Sequence, residues 1–155
     1  MAGYKVTPAT TGDAYLIADR ARKADVVELA AVGATPLDCL LRGLLNSPEA
    51  FTGWIDDEPV CMFGVSAISV LTGYGAPWMV GTDAIDRHAI SFAKGSKDVI
   101  DGMLSHWDHL TNYVDARNKR AIRWLKFLGF RVDEPVPYGL HGEPFHQFEM
   151  RCGNV

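Results

Sequence analysis

The stretch Tyr113-Val-Asp-Ala-Arg-Asn118-Lys-Arg-Ala121-Ile-Arg-Trp-Leu125-Lys-Phe-Leu-Gly129-Phe130 decides the fold of this chain. It reads as a strand leading into an N-capped amphipathic helix, which a glycine stops and another strand follows at once. Asn118 is of the residue type that accepts from the orphan amides of a first helical turn, and Ala121, Trp124, Leu125 and Leu128 recur at helical spacing to give one apolar stripe. Gly129 supplies the left-handed residue that helix ends favour, so that Phe130 can open the next strand.

Working outward, Tyr4 to Pro8 reads as a first strand, and Thr11-Gly-Asp13 can open a helix carrying Tyr15, Leu16 and Ile17 toward Arg22. Val26 to Ala31 is a further helix or a continuation of that one. Thr35 and Pro36 then start a helix with Leu37, Leu40, Leu41, Leu44 and Leu45 as its stripe, closed by Ser47-Pro48. Asp56-Asp57-Glu58-Pro59 is a polar connection between two apolar runs, Ala50–Ile55 and Val60–Ser69, and predicts an antiparallel hairpin. Thr72 to Pro77 has turn chemistry, and Trp78 to Thr82 reads as a strand. From Arg87 to about Trp107 the pattern is helical, with Gly95-Ser96 as an interruption or restart. Leu110–Asp115, Phe130–Val132 and Pro144–Arg151 complete the strands. No repeat or linker divides the 155 residues, so residues 1–155 are expected to form a single domain.

Composition narrows the function classes. A net charge of −4 argues against broad attraction to nucleic acid or anionic membrane, which needs a basic surface. Cys39, Cys61 and Cys152 are odd in number, far apart and without metal-type spacing, which fits reduced thiols and a cytoplasmic location, with no metal site. No basic segment with an apolar run opens the chain and no apolar stretch reaches bilayer length, so a soluble, unexported protein without membrane insertion is expected. His106 and His109 are three apart but lack a third ligand. Cys39 and Cys61 fall in apolar segments, where a thiol is buried and inert.

The opening unit resembles the Asn-x-x-Ala-x-x-Leu-Tyr-x-x-x-Gly-Phe signature near the end of GCN5-related N-acetyltransferases (GNATs). That resemblance implies an α/β fold, a mixed and mostly antiparallel sheet of about six or seven strands with helices on both faces. It also implies acetyl-CoA held where the fourth and fifth strands splay, and an amine as acceptor. The fourth strand would be Trp78 to Asp83. The family's phosphate loop, Gln/Arg-x-x-Gly-x-Gly/Ala, is missing after it. Its stand-ins for cofactor binding are the Ala84–Ile85 amides or the turn Lys94-Gly95-Ser96-Lys97, with Asn118 as cap or site contact. At the position where the family often has an acid tyrosine stands Leu125, which cannot donate a proton. Tyr113 or a water would take that role. Asp83 or Asp86, beyond the fourth strand, would be the base ahead of the hairpin acids Asp56, Asp57 and Glu58. The pattern from Leu110 to Phe130, with Trp78-x-Val-Gly-Thr82 and the Lys94/Lys97 helix, looks more specifically like acetyltransferase-like proteins of short-tailed phages, some linked to virion assembly. Three readings therefore stand: an acetyl-CoA-dependent N-acetyltransferase, a catalytically inactive virion or assembly protein, and a binder of a host protein through the basic helix or Tyr138–Phe148. The basic run Arg117, Lys119, Arg120, Arg123, Lys126 and Arg131 is the solvated face of that helix or a contact for a phosphate or an acidic partner.

Overall fold

The segment from Tyr113 to Phe130 folds as its sequence predicts. In the structure, a computed structural model that describes residues 3–153, a helix runs Lys119–Leu128. The Asn118 side chain accepts from the Ala121 amide, and Gly129 lies at φ 103 as the left-handed stop. The order of elements is β1 (Tyr4–Pro8), α1 (Thr11–Asp19), α2 (Lys23–Ala31), α3 (Pro36–Asn46), β2 (Ala50–Ile55), β3 (Glu58–Ser69), β4 (Tyr74–Gly81), α4 (Ala84–Arg87), α5 (Ala89–Leu104), β5 (His109–Asp115), α6 (Lys119–Leu128), β6 (Arg131–Val132), β7 (Val136–Pro137) and β8 (Pro144–Arg151).

The strands form one eight-stranded sheet in the order β1-β2-β3-β4-β5-β8-β6, with β7 also on β8. Every pairing is antiparallel except β4 with β5. The strand count exceeds the expected one by β7, which at two residues is too short to show a period. The β2–β3 turn sits where expected, with Asp56 and Asp57 both at positive φ, the backbone of a tight hairpin turn.

Alternation along the central strands assigns the two faces. Met62 and Val80 point to α1 and α3, where they meet Ala14, Ile17 and Leu40. Ile17 and Leu40 are fully buried, each worth roughly 1.5–3 kcal/mol of hydrophobic stabilisation. On the other face Phe63 and Ile85 pack with Phe92 and Val99 of α5. Val114 and Phe148 pack with Ile122 and Leu125 of α6.

Two local expectations need correction. The predicted turn over Thr72–Pro77 is mostly strand, since Tyr74 to Pro77 belong to β4. The predicted break at Gly95-Ser96 does not form, because α5 is continuous there and the chain breaks instead at His88, between α4 and α5. Gly95 serves packing rather than turning: a Cβ there would stand 2.6 Å from the Tyr4 ring. The Ser96 hydroxyl donates to the Phe92 carbonyl at 2.7 Å and accepts from the Trp124 indole at 3.3 Å.

Candidate active site

β4 and β5 are paired only at Tyr74 with His109 and Gly75 with Leu110. Beyond that point β4 stays on β3 as far as Gly81, and β5 stays on β8 as far as Asp115. The two strands therefore part, and the sheet opens between them. Pro77 gives a cause. Its carbonyl accepts from the Asn112 side-chain amide of β5 at 2.8 Å, so its missing N–H is on the side that would have continued the ladder.

Past Pro77, side chains replace the lost backbone partners. Asn112 also accepts the N–H of Tyr113 through Oδ1 at 2.8 Å. From α2, the Asp25 carboxylate accepts the Gly81 N–H of β4 at 2.9 Å, and the Glu28 carboxylate accepts the Asp115 N–H of β5 at 2.6 Å. These carboxylates are three residues apart on one helical face, so α2 bridges the open end of the V. Arg22 anchors the helix start, its N–H on the Gly81 carbonyl at 2.9 Å and its guanidinium 3.5 Å from Asp25.

Met79 lies between these replacements. On β4 the odd-numbered residues turn their backbone groups to the edge away from β3: the carbonyls of Pro77 and of Gly73, just before the strand, accept from β5, and that of Gly81 accepts from Arg22 at the start of α2. The Met79 N–H therefore points into the opening, and no protein acceptor for it is found among the described residues. A donor of this kind, fixed by its strand, suits an oxygen that gains negative charge.

The opening is a cavity of about 390 Å³ that passes through the sheet. On the α5–α6 side Phe92, Ser96, Ala121 and Trp124 line it; on the α2 side the wall is Glu28, Leu29, Val32, Trp78, Tyr113 and Tyr138. Tyr113 and Tyr138 stack with ring centroids 4.0 Å apart. The Tyr138 loop is tied to α2 by the Leu140 N–H on the Ala31 carbonyl at 2.8 Å. Burial pushes the Glu28 carboxyl up to about 7, with the neighbouring Asp25 and Asp115 charges adding to the rise. The Asp115 N–H and the Asn118 amide, which favour its charged form, only moderate it. Burial likewise raises Asp25, against the pull of Arg22. Glu28 keeps partial exposure because it faces the cavity.

The structure brings some of the predicted residues together and separates others. Tyr113 and Asn118 line the cavity. Asp83 is exposed and is not among the cavity-lining residues. Asp86 is at the rim, paired with Arg120. The Ala84 and Ile85 amides are taken by the Thr82 hydroxyl and carbonyl at 3.3 and 3.2 Å, and their side chains are buried. Gly95 and Ser96 are inside a helix, so their amides are not free for a phosphate as a turn would leave them. Lys94 and Lys97 are exposed, Lys97 lying 4.5 Å from the Phe127 ring centroid. Free amides occur instead at the start of α5, where no side chain caps the helix and Phe92 makes the first helical bond back, to His88. Leu125 is buried in the core.

Asp25, Glu28, Asn112 and Met79 are the groups that sequence reasoning missed. One signal was available: acids three apart in the otherwise apolar run Asp25-Val-Val-Glu-Leu-Ala-Ala31. Burial pushes the Cys39 and Cys61 thiols up to about 11 and about 12, consistent with inert thiols. Among the described residues no cluster of three or more His, Cys, Asp or Glu could hold a metal ion, and no helix is long and apolar enough to cross a membrane.

No protein-family model matches the sequence, and no curated protein matches it either. Solved structures do match in shape. Spermidine N-acetyltransferase of Vibrio cholerae in complex with CoA and spermine superposes with a TM-score of 0.73 at 9% identity, over 96% of this chain and 95% of that one. Ribosomal-protein-S5-alanine acetyltransferase of Vibrio fischeri gives 0.71 at 16% identity, over 97% and 94%. YncA of Salmonella typhimurium, solved with its cofactor acetyl-CoA, gives 0.68 at 10% identity, over 98% and 95%. The chain has the GNAT fold.

Proposed function

We propose that this protein is an acetyl-CoA-dependent N-acetyltransferase that acts on a primary amine. The observation that carries the reading is the parted β4–β5 pair, with the Met79 N–H unpartnered between them and the Glu28 carboxylate facing the same cavity. The parted strands come with the fold, whereas the Glu28 carboxylate facing the cavity is this chain's own. The residues present fit the cofactor: a strand amide for the thioester carbonyl, a groove between strands for an extended arm, and uncapped amides at the start of α5 for a pyrophosphate.

When bound, acetyl-CoA supplies an activated acetyl group. Met79 N–H meets the negative charge that develops on the thioester oxygen. Glu28, at about 7, is basic enough to take a proton from an incoming ammonium and exchange it with solvent near neutral pH. The Asp115 N–H holds Glu28 in place. Tyr113 or a water protonates the leaving thiolate, because Leu125 is buried among apolar side chains. Glu28 takes the base role expected of Asp83, which lies outside the cavity.

Calorimetric titration with acetyl-CoA, with ATP as a phosphate control, tests the reading. Micromolar affinity selective for acetyl-CoA and CoA, followed by thiol release with an amine, is the expected result. No heat and no thermal shift at millimolar ligand would reject it.

A second reading has its own support. The missing glycine-rich phosphate loop and Leu125 at the family's tyrosine position both favour a non-catalytic phage protein, acting in the virion or on a host protein in the bacterial cytoplasm. The same titration separates the two.

A further inference from the structure

Among the charged residues that line the cavity, Arg22, Asp25, Glu28, Asp86 and Arg120, only Glu28 lacks an ion-pair partner. Arg22 pairs with Asp25, both side chains being 10% exposed, and Arg117 pairs with Asp115 at 2.6 Å. Glu28 has no ion-pair partner among the described residues, so one negative charge faces the cavity. The surfaces beside it are apolar or aromatic: Val32, Trp78, and the stacked pair Tyr113 and Tyr138, with Phe145 5.2 Å beyond Tyr138. An aromatic face and an unpaired carboxylate both attract a cation, and the rings also accept an apolar body.

We propose that the acceptor end of the cleft selects a small monoamine, with one positive charge and an apolar body of about the size of an aromatic ring, of the phenethylamine type. The inference rests on the N-acetyltransferase reading and adds the substrate class. A polyamine brings further cations that find no second unpaired carboxylate in the cavity lining. A free amino acid brings a carboxylate that meets Glu28, while Arg22 is already held by Asp25. Glu28 accepts one ammonium proton. The nitrogen lone pair then forms the C–N bond as the thioester C–S bond breaks, and the thiolate takes up the second proton. The products are an amide, free CoA and one proton returned from Glu28 to solvent.

The test reads amine binding without acetyl-CoA, so it does not depend on transfer. Phenethylamine, phenethyl alcohol, phenylalanine and spermidine are titrated against the full chain at pH 8 and followed by NMR, and thiol release from acetyl-CoA is then measured with the same compounds. Phenethylamine is expected to bind about tenfold or more tightly than the other three, because each lacks the cation or adds an unmatched charge. Glu28→Gln, which keeps an acceptor for the Asp115 N–H, should lower phenethylamine affinity about tenfold. Tyr138→Ala, at a residue 46% exposed, should lower it about fivefold. Equal binding of spermidine or phenylalanine, or Glu28-independent binding, overturns the inference. Preferred turnover of spermidine overturns it too, while leaving the N-acetyltransferase reading intact. Tight, Glu28-dependent phenethylamine binding without any acetyl-CoA binding supports the acceptor site and rejects the transferase.

Discussion

The two ends of the β4–β5 pair are built on opposite rules. At the closed end the hydrogen bonding is backbone to backbone, with the His109 N–H on the Gly73 carbonyl, and the Tyr74 ring lies tilted against the His109 ring at 4.1 Å. At the open end, a few residues on, the bonds run through side chains: Asn112 of β5 donates across to the Pro77 carbonyl, and from α2 Asp25 accepts from Gly81 and Glu28 from Asp115. A ladder satisfies its groups by closing up, whereas side chains satisfy them at a distance and leave room between. The cleft is thus a place where pairing is substituted rather than merely absent, and Met79 is the strand amide the substitution leaves free.

The largest effect should come from the carboxylate that has a second task. Glu28→Gln keeps the bond to the Asp115 N–H but removes the base, so kcat/KM for an amine should fall about 100-fold or more at pH 7. The limb near pH 7 in the pH profile should vanish with it. A variant that retains both would reduce Glu28 to a strut like Asp25.

Asn112 has no such task, and its loss should register as stability. Asn112→Leu leaves the Pro77 carbonyl and the Tyr113 N–H without partners, which should cost about 1–3 kcal/mol in urea unfolding. A loss below about 0.5 kcal/mol would mean that water serves these groups as well as Asn112 does.

The same contrast can be read from pH. Glu28 lies at about 7 in the folded protein against an ordinary 4.5. Between those values the unfolded chain gives up its proton first and the folded state binds more protons, so stability falls as pH rises and the loss is complete above 7. The surrounding Asp25 and Asp115 reinforce the shift; Arg22 and Arg117 are occupied by those same acids. Wild type should lose about 1–3 kcal/mol relative to Glu28→Gln between pH 5 and 8. Parallel pH curves for the two proteins would show that the carboxylate ionises freely.

The α6 unit and the cleft also differ in how legible they were. The α6 unit announces itself because its cap, stripe and stop are local: Asn118, Ala121 and Gly129 lie within a dozen residues. The cleft's partners are far apart in sequence, Asp25 and Gly81 by 56 residues, Glu28 and Asp115 by 87. No window of sequence contains both. Pro77 was visible but ambiguous, because a proline in a Gly-rich stretch signals a turn as readily as a strand that has lost its neighbour on one side. Gly95 misled for a similar reason. Glycine marks either a backbone that turns or a backbone that something approaches, and only the Tyr4 ring against it distinguishes the two.

That last distinction gives the smallest predicted effect and a check on where a phosphate would bind. If Gly95-Ser96 formed a turn, Lys94 and Lys97 would flank a nest of amides, and reversing both charges would weaken CoA binding severalfold. Because α5 is continuous through them, both amides stay in the helix while the ammonium groups project into solvent. Solvated charges of this kind are screened within about 8–10 Å at physiological salt. Lys94→Glu with Lys97→Glu should therefore change acetyl-CoA affinity by less than about twofold, and stability by no more than about 1 kcal/mol for the lost contact of Lys97 with Phe127. Ala89→Pro, at the first position of α5, removes one uncapped amide and no helical bond, and also moves His88 from ψ 35 toward the extended backbone that precedes a proline. It should weaken acetyl-CoA more than the double charge reversal does, and the reverse order would move the phosphate from the start of α5 to its exposed face.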